Sequence, residues 1–244
     1  GEGGSVTIPE EIESYPVTTI GDSAFIYCDG LIHITMPSVT TIEDYAFADC
    51  VTLLSATMPE VITLGEHAFD SCENLETATM PKVVTIGFEA FDYCHALKEA
   101  DIPNATTIDT YAFYECIALE SVNMPKVTEI GETSFYCCTS LTSVDMPELR
   151  MLGEYAFEYC TALESVSMPK ATIIGEYAFE DCSALKDVVM PAAEQIYFGV
   201  FDGCPSSMTI YGYSGTFAET FANENGFNFS PMTDWTVMFN NGGE

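Results

Sequence analysis

The sequence has little positive charge. Six lysines and arginines stand against 38 aspartates and glutamates in 244 residues, giving a formal net charge of −32 at pH 7. So few cations cannot build the positive surface that a phosphate backbone requires, which argues against nucleic-acid binding, and the same deficit argues against docking on anionic lipid. Long apolar runs are also missing. None reaches the ~18–20 residues of a membrane span, so no direct membrane insertion is expected. Histidine is scarce, with three residues. His33, His67 and His95 form no i, i+4 pair and share no stripe, so the sequence predicts no metal site there. Nor is there an oxygen cluster with calcium-loop spacing, and cations are expected to screen the acidic chain diffusely. Hydrophobic residues nevertheless make up 48% and aromatics 12%, against 18% charged, which is too apolar for a disordered acidic tail. The length allows one extended domain or two compact ones.

A repeat decides between them. Phenylalanine recurs at positions 25, 47, 69, 91, 113, 135, 157, 179 and 201, always at an interval of 22, and cysteine keeps step from Cys28 to Cys204. A Met-Pro or Ile-Pro pair closes eight units, from Met36-Pro37 to Met190-Pro191. Such strict phase marks a solenoid. Within Leu163–Pro169, Val166 and Met168 alternate with Ser165 and Ser167, the period of a half-buried strand, and proline ends it because it has no N–H to give. A second extended stretch, Ala171–Ile174, runs to Gly175. Beyond it, Ala178 and Cys182 lie four apart beside Phe179, which predicts one apolar stripe on a short helix. The acid after the glycine column (Asp22, Glu66, Glu132, Glu154, Glu176) would then sit in the first helical turn, where the helix dipole favours it. Helices are wider than strands, so the sheet should form the concave wall.

The unit C-x-x-L-x-x-V-x-M-P-x-V-x-x-I-G-x-x-A-F-x-x-C resembles the BspA-like, or treponemal-type, leucine-rich repeat over roughly residues 6–230. The resemblance implies an α/β solenoid, a right-handed superhelix with a parallel β-sheet on the concave face and short helices on the convex face. It also implies an extracellular or bacterial cell-surface protein used in adhesion. The expected organisation is a single solenoid over 1–230, followed by a tail or linker at 231–244. The solenoid divides into an N-terminal cap at 1–20, about nine 22-residue coils to 212, and a C-terminal cap at 213–230. In that cap, Phe217, Ala218, Phe221 and Ala222 make a stripe on a helix over Thr216–Asn225, which Gly226 should end. The tail is ambiguous: Trp235–Phe239 is compatible with a strand, and Asn240–Gly243 reads as a flexible linker. The chain opens Gly1-Glu2-Gly3-Gly4 without methionine or a signal segment, as a processed or trimmed chain would, so export is not legible from it.

Ten cysteines would ordinarily raise a disulfide framework. The phase argues otherwise, because residues one solenoid step apart should keep their Cβ atoms at least ~4.8 Å apart, beyond disulfide reach. The nine phased cysteines read as a buried ladder, and Cys137 as an exposed extra thiol. Neither Cys137-Cys138 nor Gly212-Tyr213-Ser214-Gly215 has catalytic spacing, so no enzyme activity and no cofactor are expected. Two surfaces remain. A tyrosine column (Tyr45, Tyr111, Tyr155, Tyr177, with His67 in register) is either a binding ridge or a row of rings shielding backbone between helices, and the second reading is preferred. On the concave sheet, rows of serine and threonine are interrupted centrally by Glu76, Lys98, Glu99, Asp101, Glu120 and Asn123, the candidate partner-binding residues. Four carboxylates against one lysine should steer in a basic protein ligand, such as a host matrix or surface protein. With no aromatic anchor among them, binding should be weak per copy. The alternative is a passive spacer or stalk holding another domain off a surface.

Overall fold

A computed structural model describes residues 4–233. The strand and linker read at Trp235–Phe239 and Asn240–Gly243 lie outside the described residues. The chain winds as a parallel-strand β-solenoid of about ten turns. One wall is built of short strands such as Leu31–Thr35, Thr77–Thr79, Glu99–Asp101, Ser121–Asn123 and Ser165–Ser167, hydrogen-bonded in stretches of six and five strands. A second wall is a nine-stranded sheet of two-residue strands, running from Thr19–Ile20 to Gln195–Ile196. Both walls keep the repeat register, as in Ser165↔Asp187 and Ile173↔Gln195. The inward residue of each three-residue strand is apolar, and the proline that follows ends the pairing.

The third wall corrects the sequence reading. Where short convex helices were expected, the chain makes consecutive turns, and among the described residues the sole α-helix is Phe217–Asn225. Two positions in every unit, two before and two after the phenylalanine, have positive φ, as at Tyr45 (55°) and Asp49 (57°). In the last unit both are glycines, Gly199 and Gly203. Left-handed backbone at tyrosine, aspartate or serine is unfavourable locally. It is held by hydrogen bonds to the next coil: the N–H groups of Tyr45, Phe47 and Asp49 donate to the carbonyls of Glu66, Ala68 and Asp70 at 2.8–2.9 Å. The same three bonds join every pair of adjacent coils as far as Tyr177, Phe179 and Asp181. An i, i+4 apolar pair with one phenylalanine suits a single helical turn and this turn ladder equally, so the stripe could not tell them apart. The first-turn role expected for Glu154 and its column mates falls with the helix. So does the argument for curvature from wide helices opposite narrow strands.

The core is a set of columns. The rings of Phe47 through Phe179 are fully buried and stacked on one another, with centroids 4.9–5.4 Å apart. Beside them, each phased thiol from Cys50 to Cys204 donates to the carbonyl of the phenylalanine 25 residues earlier, at 3.1–3.3 Å. Cysteine here is a small apolar residue that also satisfies a carbonyl. All ten cysteines are free thiols. Cys137 is half-buried rather than exposed, and burial followed by the charge of Glu115 pushes its thiol pKa up, which disfavours the reactive thiolate. At the C-terminal end, Phe217–Asn225 buries Ala218 and Ala222 against the last strands, and Gly226 closes the helix with φ 77°.

Candidate interaction surface

The wall of three-residue strands turns alternate side chains outward, and Glu99, Asp101 and Asn123 stand on it in adjacent strands. Glu76, Lys98 and Glu120 form one column just before the strands, each 22 residues from the next, and all six residues are exposed. Lys98 Nζ lies 2.6 Å from Glu76 Oε2, and Asn123 Nδ2 donates to Asp101 Oδ1 at 2.6 Å. The Glu76 hydrogen bond, then its charge, raises the Lys98 pKa, so the ammonium is firmly protonated. The structure therefore brings the six together as one patch, with its lysine committed to Glu76. The same step recurs in other coils: Lys82 pairs with Glu60, Lys170 with Glu148 and Lys186 with Glu164. Exposed pairs of this kind add little stability.

On the turn wall, the tyrosine column stacks along the solenoid axis. Tyr45 lies on His67 with centroids 4.4 Å apart, and Tyr155 on Tyr177 at 5.3 Å. The rings cover one another rather than helices. On the same wall, burial and then the charge of Glu180 push Glu158 up to about 7. A folded pKa above the ordinary value of 4.5 means that the native state keeps a proton the unfolded chain has lost. Stability from this group is therefore greatest below about 4.5 and is lost as pH rises towards about 7. Glu158→Gln should raise the melting temperature at pH 8 and flatten its fall between pH 4.5 and 8. Melting curves of the two proteins across that range check this, and a lower melting temperature for the variant at pH 8 would show that the carboxylate is stabilising.

His67 has close carboxylate neighbours. It is not isolated: Nδ1 lies 3.3 Å from Asp70 Oδ2 and 3.0 Å from Glu89 Oε2. These neighbours are carboxylates that the repeat carries alongside, a pairing that the spacing of the histidines alone does not show. His33 bonds Ser55 Oγ at 2.8 Å, and His95 lies 3.8 Å from Glu115.

A family model for the BspA type leucine rich repeat region matches residues 5–107 and 84–208, in six copies. Among solved structures, the T. pallidum leucine rich repeat protein is similar at 27% identity and a TM-score of 0.58, over 76% of this chain and 79% of that one. A leucine rich cell surface protein from Faecalibacterium prausnitzii aligns at 21% identity and a TM-score of 0.44, over 96% and 88%. The pneumococcal vaccine antigen PcpA aligns at 14% and 0.33, over 96% and 90%. No curated protein matches. With the family model covering most of the solenoid and the same repeat visible in the fold, the chain belongs to the BspA-type leucine-rich repeat family.

Proposed function

We propose that the chain is a non-catalytic protein-interaction module of a bacterial cell surface, which takes a basic protein segment on the wall of three-residue strands. The observation that carries this reading is the patch itself. Lys98 is held by Glu76, which leaves Glu99, Asp101 and Glu120 outside any ion pair among the described residues. Family membership supports an interaction or surface role in general, and adhesion to a host matrix or surface protein is the specific form proposed. A negative wall without aromatic anchors gives weak single-copy binding, strengthened by many copies on one surface.

The recurrence of the glutamate–lysine step at Glu164 and Lys186 favours a second reading, a spacer whose columns look alike along their length. Two charge reversals separate the readings. Glu99→Lys with Asp101→Lys and Glu158→Lys with Glu180→Lys change the formal net charge equally, on different walls, and are compared at pH 8, above the raised Glu158 pKa of about 7. With a lysine-rich peptide as probe, the first pair should weaken binding at least about tenfold, and the second far less. Equal losses would mean diffuse attraction to an acidic rod, as a spacer gives.

A further inference from the structure

The turn wall carries one cluster that the interaction reading does not use. Because the repeat is 22 residues, the positions two before and one after the phenylalanine form neighbouring columns. In two successive coils these columns hold His67 and Asp70, then Glu89 and Asp92. Candidate ligand atoms of His67, Asp70 and Glu89 all lie within 4.8 Å of one another. The three side chains are partly sheltered, with 14% of His67 and 23% of each carboxylate side chain exposed. The imidazole is fixed in place, stacked on Tyr45 at 4.4 Å and edge-on to Phe88 at 5.3 Å, so Nδ1 stays turned to the two carboxylates.

Asp92 supplies the independent observation. It is 7% exposed, and its Oδ1 is buried with no hydrogen-bond partner. A buried carboxylate oxygen without a partner is costly and calls for a ligand. It occupies the position in its coil that Asp70 occupies in the coil before, and its backbone carbonyl accepts from Ser71 N–H at 2.8 Å, so the two aspartates are neighbours along the solenoid axis. Two carboxylates thus meet one imidazole nitrogen, with a third carboxylate buried in the next coil. A lysine or arginine would relieve this, but no ion pair with either is found at these residues among the described residues.

We propose that His67, Asp70 and Glu89 bind one divalent transition-metal cation beside the buried carboxylate of Asp92, with zinc as the metal that best suits one imidazole nitrogen and two carboxylates. Zinc takes four such ligands, whereas calcium and magnesium prefer all-oxygen sites with more ligands. Protons carried by the ligand atoms leave to solvent as the cation binds. It joins two coils, so it acts as a clip across one step of the solenoid.

The test is calorimetric titration of the full chain with zinc chloride, repeated on His67→Ala, Glu89→Gln and Asp92→Asn, with the exposed His33→Ala as control. One zinc per chain is expected, with affinity at least about tenfold weaker in the three variants and unchanged in the control. Since the chain has ten thiols, cobalt(II) is the second probe. Ligation by nitrogen and oxygen gives visible d–d bands without a sulfur-to-cobalt charge-transfer band. A charge-transfer band accounting for the bound cobalt, affinities untouched by the three substitutions, or tighter binding of calcium than of zinc would overturn the proposal. Near-ultraviolet circular dichroism checks that each variant is folded. Should His67→Ala fail to fold, the near-isosteric Glu89→Gln and Asp92→Asn carry the comparison.

Discussion

Phe113→Ala should destabilise the protein by about 3–5 kcal/mol, the range for removing a fully buried phenylalanine. Its ring lies between those of Phe91 and Phe135, at 5.3 and 5.1 Å, and none of it is exposed. The void left cannot close easily, because both neighbours are held in their own coils by the turn ladder. In a solenoid each unit touches only its neighbours, so the loss should also broaden the transition by weakening the array at its middle. Urea denaturation followed by circular dichroism measures both effects. A change below about 1 kcal/mol would mean that the ring contributes as a surface residue does.

Gly153→Val should cost about 2–3 kcal/mol, while Gly21→Ala in the same column should stay within about 0.5 kcal/mol. A Cβ at Gly153 would lie 2.5 Å from the backbone carbon of Gly131 and 2.6 Å from the backbone nitrogen of Glu132. Backbone held in a ladder cannot move aside cheaply. At Gly21, in the first coil, a Cβ would meet only the end of the Glu43 side chain, at 3.7 Å. Where acids do occupy this column, they bond nearby backbone: Glu43 Oε2 accepts from Asp22 N–H at 2.9 Å, and Asp109 Oδ1 from Thr110 N–H at 2.7 Å. Valine has no such bond to offer. Thermal melts of the two variants decide the matter, and equal effects would show that close packing does not explain the glycines.

The strands and the core were legible because they depend on patterns that repeat in phase: alternating small and apolar residues before proline, and a phenylalanine at every turn. The turn wall was not legible, since its left-handed residues before the last unit are tyrosine, aspartate, serine, glutamate, histidine, threonine and cysteine, none of which demands positive φ by itself. The conformation follows from bonds to the next coil, which a single unit does not contain. Gly199 and Gly203, in those columns of the last unit, were the available hint. The acidic patch around Glu99 could be placed from strand alternation alone. The cluster at His67 required the sequence to be written in rows of 22, when His67 and Glu89 fall in one column and Asp70 and Asp92 in another.

The turn ladder also gives the molecule an electrical direction. In its three bonded peptides per coil, every carbonyl points to the coil before and every N–H to the coil after, as Ala46 and Phe47 do towards Phe25 and Ala68. In a β-sheet such peptide dipoles alternate and largely cancel, but here they add along the axis, as they do in an α-helix. The positive pole falls on the last coil, at the N–H groups of Gly199, Phe201 and Gly203, and the negative pole on the first, at the carbonyls of Asp22, Ala24 and Ile26. Each unit added to such an array increases its dipole moment along with its length, and leaves the sign of each end unchanged.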